Sequence, residues 1–72
     1  MHTLLEKRAG RVARLGMRGP LMRRLTEMWA TPGTYIEIIR VSPLGDPVQV
    51  ALRGYTLTLR REDVREILLR EE

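Results

Sequence analysis

The sequence predicts an all-β protein, a small β-barrel with one or two short helices. The chain has 72 residues, too few for a second hydrophobic core. Only one stretch shows the apolar period of a long helix, and most of the second half alternates apolar and polar residues between turn residues. We therefore expect a single domain over residues 1–72, with residues 1–9 frayed or irregular.

The first predicted strand and the main helix lie in the N-terminal half. Residues 10–16 place apolar and basic side chains in loose alternation between two glycines, which is typical of a short strand. Pro20 suits the first position of a helix, because its missing N–H has no partner there. Pro32 cannot continue that helix, so we expect it over about residues 20–29. Its apolar stripe comprises Leu21, Met22, Leu25, Met28 and Trp29.

The chain after Gly33 is expected to be β-structure. Residues 34–41 are rich in β-branched side chains, and the adjacent isoleucines at 38 and 39 break the alternation and predict a bulge. Two alternating runs on either side of Gly54 predict a hairpin. A helical turn over 61–66 and a strand over 67–70 complete the chain. Since closure removes exposed sheet edges, we predict a five-stranded SH3-like barrel with the helix after the first strand.

The charges are unevenly distributed along the chain. Residues 1–30 carry seven basic and two acidic side chains, whereas residues 31–72 carry six arginines and seven carboxylates. The basic half indicates an acidic or phosphate-bearing partner, or serves solubility alone. There is no cysteine, which excludes disulfides and thiolate metal sites. The longest apolar runs are three residues and no signal sequence opens the chain, so we expect a cytoplasmic protein without membrane insertion.

The side chains available for catalysis are few, and we expect no catalytic residue. His2 is the only histidine and Ser42 the only serine, so no Ser-His-Asp or Cys-His arrangement can form. The acidic side chains near the C-terminus are interpreted as a solvated face rather than an acid–base pair. They are Glu62, Asp63 and Glu66.

A dedicated metal site has equally little support. Ferrous iron favours imidazole and carboxylate ligands, but a second histidine is missing. His2, Glu37 and Asp46 are only weak candidates. We expect no cofactor, and a transition metal ion such as ferrous iron stays an alternative.

Several motifs follow one another in a recognisable order. They are R-R-L-T-E-M-W-A-T-P-G-T over residues 23–34, P-L-G-D-P-V over 43–48, R-G-Y over 53–55 and L-T-L-R-R-E over 57–62. In this order and spacing they resemble the FeoA family, over about residues 10–71. The resemblance implies an SH3-like fold and a role in bacterial ferrous-iron uptake, on the cytoplasmic, GTP-hydrolysing part of the FeoB transporter.

One position departs from the family pattern. Trp29 stands where family members usually carry glycine, just after the helix. Glycine there fits a left-handed helix cap, in which a tryptophan costs about 1–2 kcal/mol. Either the helix ends differently in this chain, or burial or an interface holds Trp29.

The resulting hypothesis is a non-catalytic adaptor that binds and modulates the cytoplasmic part of FeoB. Its predicted contact residues are Arg23, Arg24, Met28, Trp29, Tyr35, Leu44, Gly45 and Asp46. The apolar members fit extra core equally well, and the 43–47 loop fits a structural turn. Two other functions stay open. One is a metal-responsive module, alone or as a homo-oligomer. The other is a basic barrel that binds nucleic acid, which the presence of only three aromatic residues disfavours.

Overall fold

Six antiparallel strands and three short helices make up the computed structural model, which describes residues 1–71. Glu72, the last residue of the expected domain, lies outside the described residues. The strands are β1 (His2–Thr3), β2 (Ala9–Leu15), β3 (Tyr35–Val41), β4 (Val48–Leu52), β5 (Tyr55–Leu59) and β6 (Ile67–Leu69). The helices are α1 (Leu4–Lys7), α2 (Pro20–Glu27) and α3 (Arg61–Val64).

The strands form one bent sheet in the order β1-β6-β2-β3-β4-β5. Strand β2 makes the bend, because its first half pairs with β3 and its second half with β6, with a register shift after Val12. The small SH3-like fold is confirmed, but the expectation of five strands in a closed barrel is wrong. Within residues 1–71 there are six strands. The outer strands, β1 and β5, do not pair with each other, so the sheet is not closed.

The additional strand, β1, and helix α1 lie in residues 1–9, the segment expected to be irregular. Thr3 caps helix α1: its hydroxyl accepts the Glu6 N–H at 3.2 Å, and its own N–H donates to the Glu6 carboxylate at 2.9 Å. Leu4 is fully buried in the core. The segment is therefore ordered by a capping box and by burial, although two residues of strand are too short to show alternation in a sequence.

The core lies between the two halves of the bent sheet and the helices. Strand β4 shows the predicted alternation, with Val48, Val50 and Leu52 buried and the residues between them only half-buried. Every buried residue in the described range is apolar. The fully enclosed large side chains are Leu4, Val12, Leu25, Ile36, Val48, Val50, Leu52, Val64, Ile67 and Leu69. The predicted bulge is also confirmed, since the β3–β4 register shifts between Ile38 and Arg40.

Candidate protein-binding surface

Helix α2 ends in a Schellman motif that holds Trp29 in the left-handed conformation. The Ala30 N–H donates to the Leu25 carbonyl at 2.9 Å, and the Trp29 N–H donates to the Thr26 carbonyl at 3.0 Å. Trp29 has a φ of 65°, so the helix ends as it would with glycine. The Trp29 side chain is 61% exposed. Burial of the indole ring therefore does not offset the strain at this position.

The segment after Trp29 is a type II turn fixed to strand β2. The Thr34 N–H donates to the Thr31 carbonyl at 3.0 Å, and Gly33 supplies the positive φ of 94° that this turn requires. Two backbone hydrogen bonds of 2.8 Å join the turn to Val12. The Thr34 hydroxyl also donates to the Trp29 carbonyl at 2.8 Å. Trp29 and the following Tyr35 are thus carried on a rigid connection.

The β4–β5 hairpin brings a guanidinium to the indole ring. Its turn residues, Arg53 and Gly54, have φ values of 47° and 82°, which fit a type I′ turn. Asparagine, aspartate or glycine is favoured at the position of Arg53. The Arg53 Cζ lies 5.7 Å from the centre of the Trp29 ring, within the range of a cation–π contact. Two exposed side chains on strained backbone therefore contact each other.

A groove of about 600 Å³ lies beside this pair on the outer face of the sheet. Arg11 of β2 pairs with Tyr35 of β3 at one end, and the next row places Glu37 between Ala9 and Ala51. Because alanine side chains are small, they leave space on either side of the Glu37 side chain. The lining is formed by Arg11, Thr31, Pro32, Gly33, Thr34, Tyr35, Glu37, Ala51, Leu52, Arg53 and Gly54.

A second groove, of about 390 Å³, shares Arg11 and Tyr35 with the first and extends toward the N-terminus. The two grooves together contain four basic and two acidic side chains. These are Lys7, Arg11, Arg53, Arg70, Glu37 and Glu71. The Glu71 carboxylate already lies 3.4 Å from the N-terminal ammonium group and 3.6 Å from the His2 ring. In residues 1–71 the three arginines of the grooves take part in no ion pair, so the surface is electropositive.

The predicted contact residues on helix α2 are only partly on this surface. Tyr35 lines the groove, and Trp29 contacts the lining residue Arg53. Both aromatic side chains are at least half exposed. Arg23 and Arg24 are exposed on the helix and do not line either groove. Met28 is half-buried and packs against the core.

The other predicted contact residues lie at the opposite end of strand β4. The 42–47 loop precedes β4 and the Arg53 turn follows it, so the two are separated by about 13 Å of strand. Leu44 is 94% exposed at the loop tip, whereas Gly45 closes the turn by donating to the Ser42 carbonyl at 2.7 Å. The Asp46 carboxylate accepts the Arg61 N–H at 3.0 Å. Asp46 thus joins the loop to the start of α3.

The three weak metal-ligand candidates do not come together. His2 lies beside Glu71, Glu37 is on the floor of the groove, and Asp46 is bound to the backbone of α3. Among residues 1–71 there is no group of three histidine, aspartate or glutamate side chains placed to hold a metal ion. No helix in this part of the chain has the length and apolar character needed to cross a membrane.

Sequence reasoning missed Arg53, and it considered Arg11 only as a phosphate contact for nucleic acid, not as a contact residue of the adaptor. The signal for Arg53 was present, because an R-G pair at a hairpin turn places arginine at a left-handed position. Arg11 had no comparable signal, since its place beside Tyr35 depends on the register between β2 and β3. The Arg11 guanidinium donates to the Gly33 carbonyl at 2.8 Å, which holds it at the groove.

The fold and this surface define a small SH3-like β-domain with an exposed aromatic and arginine-rich groove. Comparison with known proteins specifies the family. The profile of the FeoA domain matches residues 1–71, and the chain belongs to this family.

The similar proteins include a fusion and several solved structures. Over 56 residues the chain is 36% identical to the Fe(2+) transport protein A/Fe(2+) transporter FeoB fusion protein of Porphyromonas gingivalis. The matched segment is 78% of this chain but only 7% of the fusion protein. The solution structure of iron(II) transport protein A from Clostridium thermocellum is 37% identical, with a TM-score of 0.73, over 83% of this chain and 37% of that one. The FeoA protein of Chlorobium tepidum is 30% identical, with a TM-score of 0.77, over 83% of this chain and 57% of that one.

Proposed function

We propose that this chain is a non-catalytic, cytoplasmic accessory protein of ferrous-iron transport that binds the cytoplasmic part of a FeoB transporter. The observation that carries the proposal is the Porphyromonas gingivalis relative, in which the FeoA-like segment and FeoB share one polypeptide. Such a linkage replaces a contact between separate chains by one within a chain, at high effective concentration. In a separate protein, the same contact requires a docking surface.

The exposed side chains supply such a surface. Tryptophan, tyrosine and arginine are the residue types that contribute most to binding energy at protein interfaces. Trp29, Tyr35 and Arg53 are all exposed at one end of the sheet. Ferrous iron is the transporter's cargo in this proposal, and the chain acts on the transporter itself.

The test is an NMR titration of the labelled protein with the soluble cytoplasmic domain of its own host's FeoB. We expect localised shifts at Trp29, Tyr35 and the Arg53–Gly54 turn. Ferrous ion and a short RNA are titrated separately as controls. Shifts with metal or RNA and none with the transporter domain would reject the proposal in favour of a metal-responsive or nucleic-acid-binding module.

A variant at the other end of the sheet tests which surface is used. Leu44→Ser removes the most exposed apolar side chain of the 42–47 loop. Unchanged affinity in this variant would assign the contact to the Trp29 end. A loss comparable with that of Trp29→Ala would extend the contact to the loop.

A further inference from the structure

We propose that the groove beside Trp29 binds an extended acidic segment of the partner, with an apolar side chain against Trp29 and Tyr35 and flanking carboxylates on Arg11 and Arg53. The identity of the partner rests on the proposed function. The chemistry of the bound segment rests on the groove itself, through backbone strain, charge and shape.

Burial does not compensate the backbone strain at Trp29 and Arg53, because both side chains are exposed. Within residues 1–71 three non-glycine residues have positive φ, and Trp29 and Arg53 are two of them. A smaller residue would adopt either backbone conformation with less strain. Glycine suits position 29, and asparagine or glycine suits position 53. Strain of this kind concentrates where side chains serve binding. The two strained residues contact each other, and Arg53 lines the groove, which indicates a common role.

The charges of the groove select carboxylates. Arg11, Arg53 and Arg70 have no carboxylate partner in residues 1–71, and Glu71 is engaged by the N-terminus and His2. A guanidinium binds a carboxylate through two parallel hydrogen bonds. The Arg11 guanidinium already donates one N–H to the Gly33 carbonyl, so its orientation is fixed before binding.

The floor of the groove discriminates between acidic partners. Glu37 lines the groove, and in the sheet it pairs with Ala9 on one side and Ala51 on the other. Its carboxylate repels the evenly spaced phosphates of a nucleic acid. The same carboxylate can accept a hydrogen bond from a backbone N–H of a peptide whose central residue is uncharged. The favoured ligand is thus a short extended peptide with acidic residues on both sides of an aromatic or aliphatic one.

The segment can be located with peptides from the partner. Overlapping 15-residue peptides covering the cytoplasmic domain of the host's FeoB are presented to the intact protein. We expect binding to peptides in which at least two carboxylates flank an aromatic or large aliphatic residue. Binding only to neutral or basic peptides, or equal binding of a short RNA, would overturn the proposal.

Two variants separate binding from folding. Trp29→Gly and Arg53→Asn each introduce a residue that adopts positive φ with less strain. Both variants are therefore expected to have a melting temperature at or above that of the wild type. Each is expected to bind the cytoplasmic domain at least about tenfold more weakly, as for central interface residues. Arg40→Gln is the charge-matched control, because Arg40 is exposed at the far end of β3 and its loss is expected to change affinity less than about twofold.

The outcomes distinguish the groove from the function. Wild-type protein that fails to bind the cytoplasmic domain overturns the proposed function and the groove together. Wild-type binding that Trp29→Gly and Arg53→Asn leave unchanged overturns the groove alone. Weaker binding in both variants with a retained or raised melting temperature supports the groove, since misfolding would lower both quantities.

Discussion

The backbone at Trp29 has the conformation that glycine adopts without strain. Replacement by glycine removes a cost of about 1–2 kcal/mol and also removes a cation–π contact with Arg53 worth about 0.5–1 kcal/mol. We therefore predict that Trp29→Gly raises the free energy of unfolding by up to about 1.5 kcal/mol. For a domain of this size, that corresponds to an increase of a few degrees in the melting temperature, measurable by circular dichroism.

The matched control for this prediction is Trp29→Ala. Alanine keeps a Cβ atom on the left-handed backbone but loses the indole ring. It is expected to lower the free energy of unfolding by about 0.5–1 kcal/mol, the worth of the cation–π contact. Equal stabilities of the glycine and alanine variants would mean that the backbone at this position is not strained.

The conformation and the contacts of single residues could be predicted from the sequence to different extents. The left-handed conformation of Trp29 was one of the alternatives that the sequence left open, because the family pattern that the chain resembles has glycine at this position. The place of Arg11 was not, since it follows from the register in which β2 and β3 pair. Asp46 was predicted as a contact residue, and its carboxylate is engaged by the Arg61 N–H. A side chain's partner thus depends on tertiary structure even where its local turn is readable.

Among the elements, helix α1 depends on a capping box that also perturbs an acid. The Thr3 N–H, and then its hydroxyl, donate to the Glu6 carboxylate and hold the pKa of Glu6 below its ordinary value. We predict that Thr3→Ala lowers the free energy of unfolding by about 0.5–2 kcal/mol, the usual worth of an N-cap. The N–H of residue 3, which makes the larger contribution, remains in this variant, so we expect the pKa of Glu6 to rise only partway toward its ordinary value, as followed by NMR titration.

The sign of the pH dependence follows from the lowered pKa. A carboxyl group whose pKa is lowered in the folded state stabilises the fold at pH values above its ordinary pKa. This contribution is lost as the pH falls through the folded-state pKa. In the wild type, α1 is therefore expected to loosen only in acid, below the ordinary range of a glutamate. An unchanged Glu6 titration in Thr3→Ala would contradict the contribution of the Thr3 hydroxyl to the lowered pKa.

Longer elements were easier to predict than short ones. Helix α2, the β4–β5 hairpin and the bulge of β3 each have a periodicity or a turn residue in the sequence. Strand β1 has two residues, and helix α1 has four, so neither spans enough chain for a period. The T-x-x-E spacing of Thr3 and Glu6 was the available signal for α1. Residues 1–9 then become ordered because Leu4 enters the core.

At the scale of the whole molecule, sheet closure was the feature that the sequence could not decide. The count of strands and the absence of room for a second layer indicated a small barrel. Closure depends on whether the outer strands meet, which strand length and bending determine. Within residues 1–71, β5 remains an outer strand and β1 occupies the other side. The short β1 extends the sheet beyond β6 rather than closing it onto β5.

The molecule's net charge of +4 makes its association with an acidic partner dependent on salt. Screening shortens the range of these charges from about 10 Å at 0.1 M salt to about 3 Å at 1 M. We predict that the association rate constant with the cytoplasmic domain falls about tenfold or more over this range, while the dissociation rate constant changes little. Stopped-flow or surface-based kinetics at several salt concentrations measures both.

Charge variants distinguish a local effect from a global one. Arg53→Asn and Arg40→Gln each remove one positive charge, so a field that depends only on net charge would reduce the salt dependence equally in both. Because Arg53 lines the electropositive groove and Arg40 does not, we expect the larger reduction in Arg53→Asn. Trp29→Gly changes no charge and should keep the wild-type slope despite its weaker binding. Equal slopes in the two arginine variants would place the steering field on the whole molecule instead of the groove.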